Sequence, residues 1–448
     1  MPDSPPRFPY QLILAAVATL PGLYLGAASY LGLPHAELAP PLAAIVYGIA
    51  IIGAAFVLSW AAEAAQVDIS AGLALAVLAL LAVLPEYAVD FVFSFKAGQV
   101  YGETGQCQPE PDGANPCSLA LANMTGANRV LVGVGWPLVV LVATIAVAHS
   151  RRRGGGETES TRSRCVQMPR ALSADVVYLG IATVYSLTLP LRTTLTLVDA
   201  AVLVAIFGAY AWRLAQAPAT EPDLMGTSAY VGKLPRGPRV TVYVTMFVGA
   251  ALVILATAEH FAEGLVASGA ELGVDEFLLV QWVAPLASES PELIVACLYA
   301  WRLKASDSLG ALLSSKVNQW TLLVGTIPIV FALAAGTLDG LPIDTHQRFE
   351  LLITGAQSLF AVSILINLAL TLRAAGVLFV LFMVQFTSSL VLPREADQLV
   401  ILVMSGVYAV LSVAMFVHYR RYLARTVRDG LRTPFDQLES ADEAMASR

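Results

Sequence analysis

The sequence predicts an all-α membrane protein whose helices cross the bilayer many times, and three observations support this fold class. The mean hydropathy of the 448 residues is +0.70. Only 13% of the residues are charged, about half of the roughly 25% that soluble domains carry. Apolar runs of about 20 residues, long enough to cross a bilayer, recur along the whole chain.

About twelve transmembrane helices are predicted from these apolar runs. Their approximate ranges are 10–32, 40–63, 70–97, 117–149, 172–191, 196–213, 238–267, 272–302, 306–336, 347–372, 374–392 and 398–418. The first run has no convincing small-residue cleavage site after its apolar core. We therefore interpret it as a span rather than a signal peptide.

Basic residues in the connecting segments predict the orientation of the helices. Arginines are frequent in 150–171 and in the tail after Val417, and 214–237 also contains basic residues. Because cytoplasmic loops are enriched in Lys and Arg, these segments and both termini are predicted to be cytoplasmic. The expected location is a cell (inner) membrane.

The segment 98–116 contains acidic residues but no Lys or Arg, and is therefore predicted to lie outside. Two cysteines, Cys107 and Cys117, flank its polar part. Outside the cell a disulfide between them would persist, but spacing alone does not establish the geometry that a disulfide needs. A disulfide and two free thiols therefore both remain open.

Two similar motifs place a proline and a carboxylate inside predicted spans: LPEY at 84–87 and SPEL at 290–293. A charge at membrane depth is costly and usually functional. Proline removes one backbone donor and so leaves a carbonyl without its helical partner. Carboxylates beside free carbonyls are hard oxygen ligands, suited to Na⁺, Ca²⁺ or Mg²⁺.

The predicted orientations of these two motifs are opposite. The span with Glu86 runs from inside to outside, and the span with Glu292 runs from outside to inside. Such duplication predicts inverted repeats with a binding site where the repeats meet. A kinked helix whose single glutamate pairs with a base elsewhere is the alternative, and two copies in opposite orientations disfavour it.

Each motif is followed by a span rich in small and amide residues, ANMTGANR at 122–129 and SSKVNQWT at 314–321. The chain thereby resembles the sodium/calcium exchanger family of cation/Ca²⁺ antiporters, whose two inverted repeats carry GTSxPEL followed by GNxxGSN. The matching residues are Pro85, Glu86, Asn123, Gly126, Asn128, Pro291, Glu292, Leu293 and Asn318. The resemblance implies an inverted-repeat exchanger-like fold, with Glu86 and Glu292 as central ligands for Ca²⁺ or Na⁺.

The resemblance also implies a domain organisation. The first half, 1–213, has its repeat core at 40–150 and an extra N-terminal helix. A cytoplasmic linker at 214–237 connects it to the second half, 238–418, which has its core at 238–390 and an extra C-terminal helix. A cytoplasmic tail follows at 419–448. Because the tail is polar after Thr433, it is predicted to be disordered there.

The chain departs from the family pattern at several positions. The first GTS is replaced by 81–83, which offer only backbone oxygens, and the second by Ala287, Ser288 and Glu289. Lys316 replaces the glycine of the second GSN, and Arg129 directly follows the first. The candidate cation ligands are Glu86, Asp90, Asn123, Asn128, Ser288, Glu289, Glu292, Asn318 and Thr321.

The predicted membrane interior therefore holds the four acids of this ligand set and two bases, Arg129 and Lys316. Buried charges are paired or become neutral. Each base either pairs with an acid and fixes helix packing, or takes the place of a cation as a built-in positive charge. Lys316 can also lose its proton as a cation enters, whereas an arginine cannot. The sequence leaves these alternatives open.

The function predicted from the resemblance is secondary cation antiport, with the cation bound between Glu86 and Glu292 and exposed alternately to each side. A Na⁺/H⁺ exchanger and a non-transporting sensor or scaffold on the same fold are the alternatives. An intramembrane hydrolase built on His260 and Glu263 is disfavoured because a second histidine is missing. No cofactor and no nucleic-acid partner are expected; the partners are the lipid bilayer and inorganic cations.

Overall fold

Helices make up most of the described chain, which in this computed structural model comprises residues 9–68, 84–107, 115–152, 164–218, 224 and 226–446. In chain order the helices are α1 Tyr10–Tyr30, α2 Pro40–Ala65, α3 Leu84–Thr104, α4 Pro116–Val130, α5 Trp136–Arg152, α6 Ser173–Ser186, α7 Leu197–Leu214, α8 Thr227–Gly232, α9 Arg236–Leu272, α10 Glu276–Trp301, α11 Ala305–Asn318, α12 Val324–Ala335, α13 Thr345–Leu365, α14 Leu372–Val391, α15 Arg394–His418, α16 Arg420–Leu431 and α17 Phe435–Ala446.

Ten helical segments among the described residues are long and apolar enough to cross a membrane. They correspond to ten of the twelve predicted spans. Of the other two predicted spans, 70–97 overlaps α3, which extends to Thr104, and 272–302 contains α10. The first of these two predicted spans begins in residues outside the described ranges. Residues 81–83, which replace GTS, also lie outside them. The prediction of a polytopic helical membrane protein is confirmed.

Within the described ranges, four short strands accompany the helices: β1 Cys165–Gln167, β2 Thr194–Leu195, β3 Leu341–Pro342 and β4 Ala369–Thr371. β1 pairs with β4 and β2 pairs with β3, both antiparallel. These two-stranded pairs join loops between helices and leave the helical fold class unchanged. The structure also contains the Cys107–Cys117 disulfide, one of the two alternatives that the sequence left open.

The chain forms two compact units, each built from two separate stretches of sequence. The first unit comprises Met1–Val92 and Ala217–Pro291, and the second comprises Phe93–Gln216 and Glu292–Arg448. The predicted division into sequence halves concerns the repeats and stays a prediction. The family motifs fall in both units.

In the first unit, small side chains let α1, α2 and α9 pack closely. Ala50, Ala54 and Leu58 of α2 are buried with residues of α9 such as Ala250 and Ile254. A Cβ at Gly26 of α1 would lie 2.0 Å from the carbonyl oxygen of Ala256 in α9, so only glycine fits there. Close backbone approach through small residues is the usual basis of helix packing in membranes.

The second unit contains the C-terminal helices, and the predicted disorder after Thr433 is wrong. α17 buries Phe435 and Leu438, three residues apart on one helical face. The guanidinium of Arg213 lies 4.2 Å from the Phe435 ring centroid. The prediction failed because the tail is mostly polar, and its two apolar residues, Phe435 and Leu438, are buried only by contacts in the folded chain.

Candidate functional site

In the first unit, α3 buries the carboxylates of Glu86 and Asp90, whose side chains are 1% and 2% exposed. The four-residue spacing places both on one face of the helix, one turn apart. Both carboxylates offer hard oxygen atoms to which a cation or a proton can bind.

The first unit also contains part of α10, where Ser288 and Glu289 are buried. The hydroxyl of Ser288 donates to the carbonyl oxygens of Ala284 and Pro285 at 3.2 and 3.3 Å. Its own oxygen therefore keeps lone pairs for a ligand. Pro291 lies inside α10 and supplies no N–H to the preceding turn, as the sequence predicts.

In the second unit, the predicted amide residues Asn123 and Asn128 are buried in α4, and Asn318 is buried at the end of α11. Glu292, the first residue of this unit's second stretch, is partly exposed. Thr321 is buried, and its hydroxyl donates to the carbonyl oxygen of Val317 at 2.6 Å. Amide and hydroxyl oxygens of this kind are suitable ligands for Na⁺ or Ca²⁺.

A π-helical turn follows the amide motif in both repeats. Leu131–Gly135 connects α4 to α5, and Gln319–Leu323 connects α11 to α12. Single π turns inside α-helices are rare and frequently mark functional sites. The shared irregularity gives the second unit the same local geometry at both motifs, and periodicity in the sequence did not indicate it.

Arg129 forms an ion pair with Glu350 of α13, with 2.6 Å between Nη2 and Oε2. Both side chains are 1% exposed, and Nε of Arg129 also donates to the carbonyl oxygen of Thr125 at 3.2 Å. For Arg129, the structure therefore supports pairing with an acid. That acid is outside the four that the sequence singled out, although an isolated carboxylate within the predicted span 347–372 was a visible signal.

Lys316 makes a different set of contacts. Its ammonium donates to the backbone carbonyl oxygen of Asn128 at 2.6 Å and to the amide Oδ1 of Asn128 at 2.7 Å. The ammonium also lies 5.5 Å from the ring centroid of Trp320, within the range of a cation–π interaction. The lysine of one repeat thus contacts the asparagine of the other.

A second polar group that the sequence did not single out surrounds Asp175 of α6. Its Oδ1 accepts hydrogen bonds from the hydroxyls of Tyr210 at 2.6 Å and Ser314 at 2.7 Å, and all of these residues belong to the second unit. The bonds offset the cost of burying the carboxylate. Ser314 lies on α11, two residues before Lys316, so this network supports the helix that carries the lysine.

The two residues considered for a hydrolase, His260 and Glu263, lie one turn apart on the same helix, α9, in the first unit. Nδ1 of His260 lies 3.7 Å from Oε2 of Glu263, and the hydroxyl of Tyr30 donates to Glu259 at 2.6 Å. Among the described residues, no three His, Cys, Asp or Glu side chains group as a metal site would require. The hydrogen bond from Tyr30 to Glu259 joins α1 to α9.

A bundle of apolar spans with buried carboxylates, amides and π turns is the architecture of a polytopic membrane transporter. The family model described as "Sodium/calcium exchanger protein" matches residues 40–215 and 242–421. The chain therefore belongs to the sodium/calcium exchanger family. It is an integral membrane protein and a secondary transporter of the cation/Ca²⁺ antiporter type, not an enzyme.

Solved structures share this fold. The crystal structure of an H⁺/Ca²⁺ exchanger, CAX, is 38% identical, covers 96% of this chain and 98% of its own, and superposes with a TM-score of 0.81. A selenium-substituted Ca²⁺/H⁺ antiporter, YfkE, is 14% identical, covers 83% of this chain and 99% of its own, and has a TM-score of 0.54. Among curated proteins, none matches.

Proposed function

We propose that this chain exchanges Ca²⁺ for H⁺ across the membrane. The observation that carries the proposal is the 38% identity, over 96% of this chain, to a protein described as an H⁺/Ca²⁺ exchanger. The burial of Glu86, Asp90 and Glu289 supports the proposal, because a carboxylate can coordinate a cation or carry a proton, but not both at once. Competition for the same oxygens couples the two ions.

The proposed central ligands are Glu86 and Glu292. The remaining proposed ligands are Asp90, Asn123, Ser288, Glu289, Asn318 and Thr321. Asn128 completes the set only when Lys316 withdraws from its two oxygens. Ca²⁺ takes six to eight oxygen ligands in proteins, and this set combines carboxylate, amide and hydroxyl oxygens. The energy comes from an ion gradient, with no cofactor, and the site is exposed alternately to each side.

The proposed location is a cell membrane with both termini in the cytoplasm. The support is the concentration of arginines in 150–171 and after Val417 together with the membrane-spanning helices. The partners are the surrounding lipid bilayer and the transported cations.

The test is Ca²⁺ flux into proteoliposomes driven by a pH gradient. Glu86→Gln and Glu292→Gln remove one charge each while keeping the side-chain shape, and each is expected to lower flux at least about tenfold, or roughly 1.4 kcal/mol. Glu103→Gln is the matched control, because Glu103 is exposed near the end of the same helix α3. Unchanged flux in both site variants contradicts the proposed ligands.

One observation favours Na⁺/H⁺ exchange as a second candidate. Lys316 adds a buried positive charge beside Asn128. In this alternative that charge disfavours a divalent ion, and Na⁺ binds at the carboxylates rather than at Asn128. The same vesicles distinguish the candidates: proton movement driven by a Na⁺ gradient without Ca²⁺ identifies a monovalent exchanger. Ca²⁺ binding without any flux identifies a sensor.

A further inference from the structure

Lys316 is fully buried, and its ammonium lies in a cradle formed by Asn128 and Trp320. The two oxygens of Asn128, one from the backbone and one from the amide, accept from Nζ at 2.6 and 2.7 Å. The Trp320 ring lies one turn further along the helical segment, 5.5 Å from Nζ. An ammonium is stable away from water only when such groups replace its hydration.

The cradle is fixed in place by further hydrogen bonds. The amide Nδ2 of Asn128 donates to the carbonyl oxygen of Met124 at 3.0 Å, so Oδ1 remains available as an acceptor for Lys316. The indole Nε1 of Trp320 donates to Oγ of Ser358 at 2.6 Å, which holds the ring. The oxygens therefore do not depend on Lys316 for their orientation.

The cradle has the chemistry of a site for a monovalent cation. Carbonyl and amide oxygens are ordinary ligands of hard cations, and an aromatic face attracts any cation near it. The neighbouring charge of Arg129 is matched by Glu350 at 2.6 Å. The ammonium of Lys316 therefore occupies a position that would otherwise suit a free monovalent ion.

We propose that Lys316 is a tethered cation that occupies this cradle, keeps Na⁺ out of it and thereby restricts the exchanger to Ca²⁺ and H⁺. This inference concerns the ion specificity of the site and rests on the proposed function for its consequence in transport. The exclusion of Na⁺ from the cradle is a binding property, and it can be measured without any flux.

The binding experiment uses Lys316→Met, which keeps the length of the side chain and removes its charge. In detergent, tryptophan fluorescence is titrated with NaCl against choline chloride. The difference between Lys316→Met and the double variant Lys316→Met/Trp320→Phe isolates the signal of Trp320. We expect a saturable response to Na⁺ in Lys316→Met and none in the wild type or in Lys233→Met, whose lysine is exposed.

The transport experiment adds Na⁺ to the pH-driven Ca²⁺ flux. We expect Na⁺ to inhibit flux by Lys316→Met about tenfold more strongly than flux by the wild type. Ethylammonium, which supplies a free ammonium of suitable size, should abolish the Na⁺ response of Lys316→Ala. If Lys316 only supported packing, its replacement would produce no Na⁺ response, and ethylammonium would have no response to suppress.

A folded Lys316→Met that shows no Na⁺ response in fluorescence overturns the inference. If the methionine variant fails to fold, Lys316→Arg decides: it retains the charge and should exclude Na⁺ as the wild type does, so Na⁺ binding by this variant contradicts the tethered cation. If the wild type shows no Ca²⁺/H⁺ exchange, the proposed function fails, while the fluorescence titration still decides whether the cradle accepts Na⁺.

Discussion

Among individual residues, Arg129 and Glu350 form a buried ion pair. Both side chains are almost completely buried, and Nη2 of Arg129 lies 2.6 Å from Oε2 of Glu350 in an ion pair. A buried ion pair contributes little compared with apolar residues of the same volume, because desolvation offsets the attraction. Removing one partner is different, since it leaves an uncompensated charge in the interior.

We expect Arg129→Met and Glu350→Met each to destabilise the protein by about 3–5 kcal/mol, and the double variant to recover much of that loss. The measurement is thermal unfolding of the purified protein in detergent. Arg236→Ala is the control, because Arg236 is 83% exposed and lies 3.8 Å from Asp68, and it should cost less than about 1 kcal/mol. Additive losses in the double variant would contradict the pairing.

At the scale of elements, the C-terminal helices are held by hydrogen bonds to backbone oxygens. Arg213 of α7 donates to the carbonyl oxygens of Gly430, Asp429 and Thr433. Arg170 adds an ion pair with Asp429, and its backbone N–H donates to Asp442 at 2.8 Å. Arg213 therefore joins α7 to the end of α16 and the start of α17.

Arg213→Leu should release α17 while the transmembrane helices stay folded, because the substitution removes these three hydrogen bonds and the cation–π contact with Phe435. The measurement is hydrogen exchange of 434–446, which should accelerate by about a hundredfold, corresponding to roughly 2.7 kcal/mol. Arg432→Leu, an exposed arginine in the same tail, should leave the exchange rates unchanged. Equal acceleration in both variants would rule out Arg213 as the anchor.

At the scale of the whole molecule, the cysteines report the orientation of the chain in the membrane. Cys165 lies in β1 between spans of the second unit and is predicted to be cytoplasmic, whereas Cys107 and Cys117 form a disulfide in a loop predicted to lie outside. Burial raises the pKa of the Cys165 thiol. Because the thiolate is the reactive form, its labelling should be slow at neutral pH and accelerate as the pH rises.

In a Cys297→Ser background, we expect a membrane-impermeant maleimide to label Cys165 in inside-out vesicles and not in intact cells. The labelling rate should increase with pH beyond the range in which an ordinary thiol has already ionised, because the pKa of Cys165 is raised. Cys165→Ser in the same background is the control for residual labelling. Labelling from outside intact cells would reverse the proposed orientation.

The sequence alone predicted the features that depend on local composition. Apolar runs predicted the spans, because each span must be apolar over the thickness of the bilayer and must hydrogen-bond its own backbone. The doubled Pro-Glu motif indicated the exchanger fold. The candidate ligands Glu86, Asp90 and Asn128 and the base Lys316 were also identified in this way, and each is buried. The cation-binding roles of these residues stay predictions.

Only the tertiary structure decided which charges meet. Glu350 is remote from Arg129 in the sequence, and Asn128 is likewise remote from Lys316, so no local pattern could assign these contacts. The same reason explains α17, whose two apolar residues acquire partners only in the folded chain. Membrane insertion depends on the composition of each segment, whereas pairing inside the bundle depends on which faces of distant helices pack together.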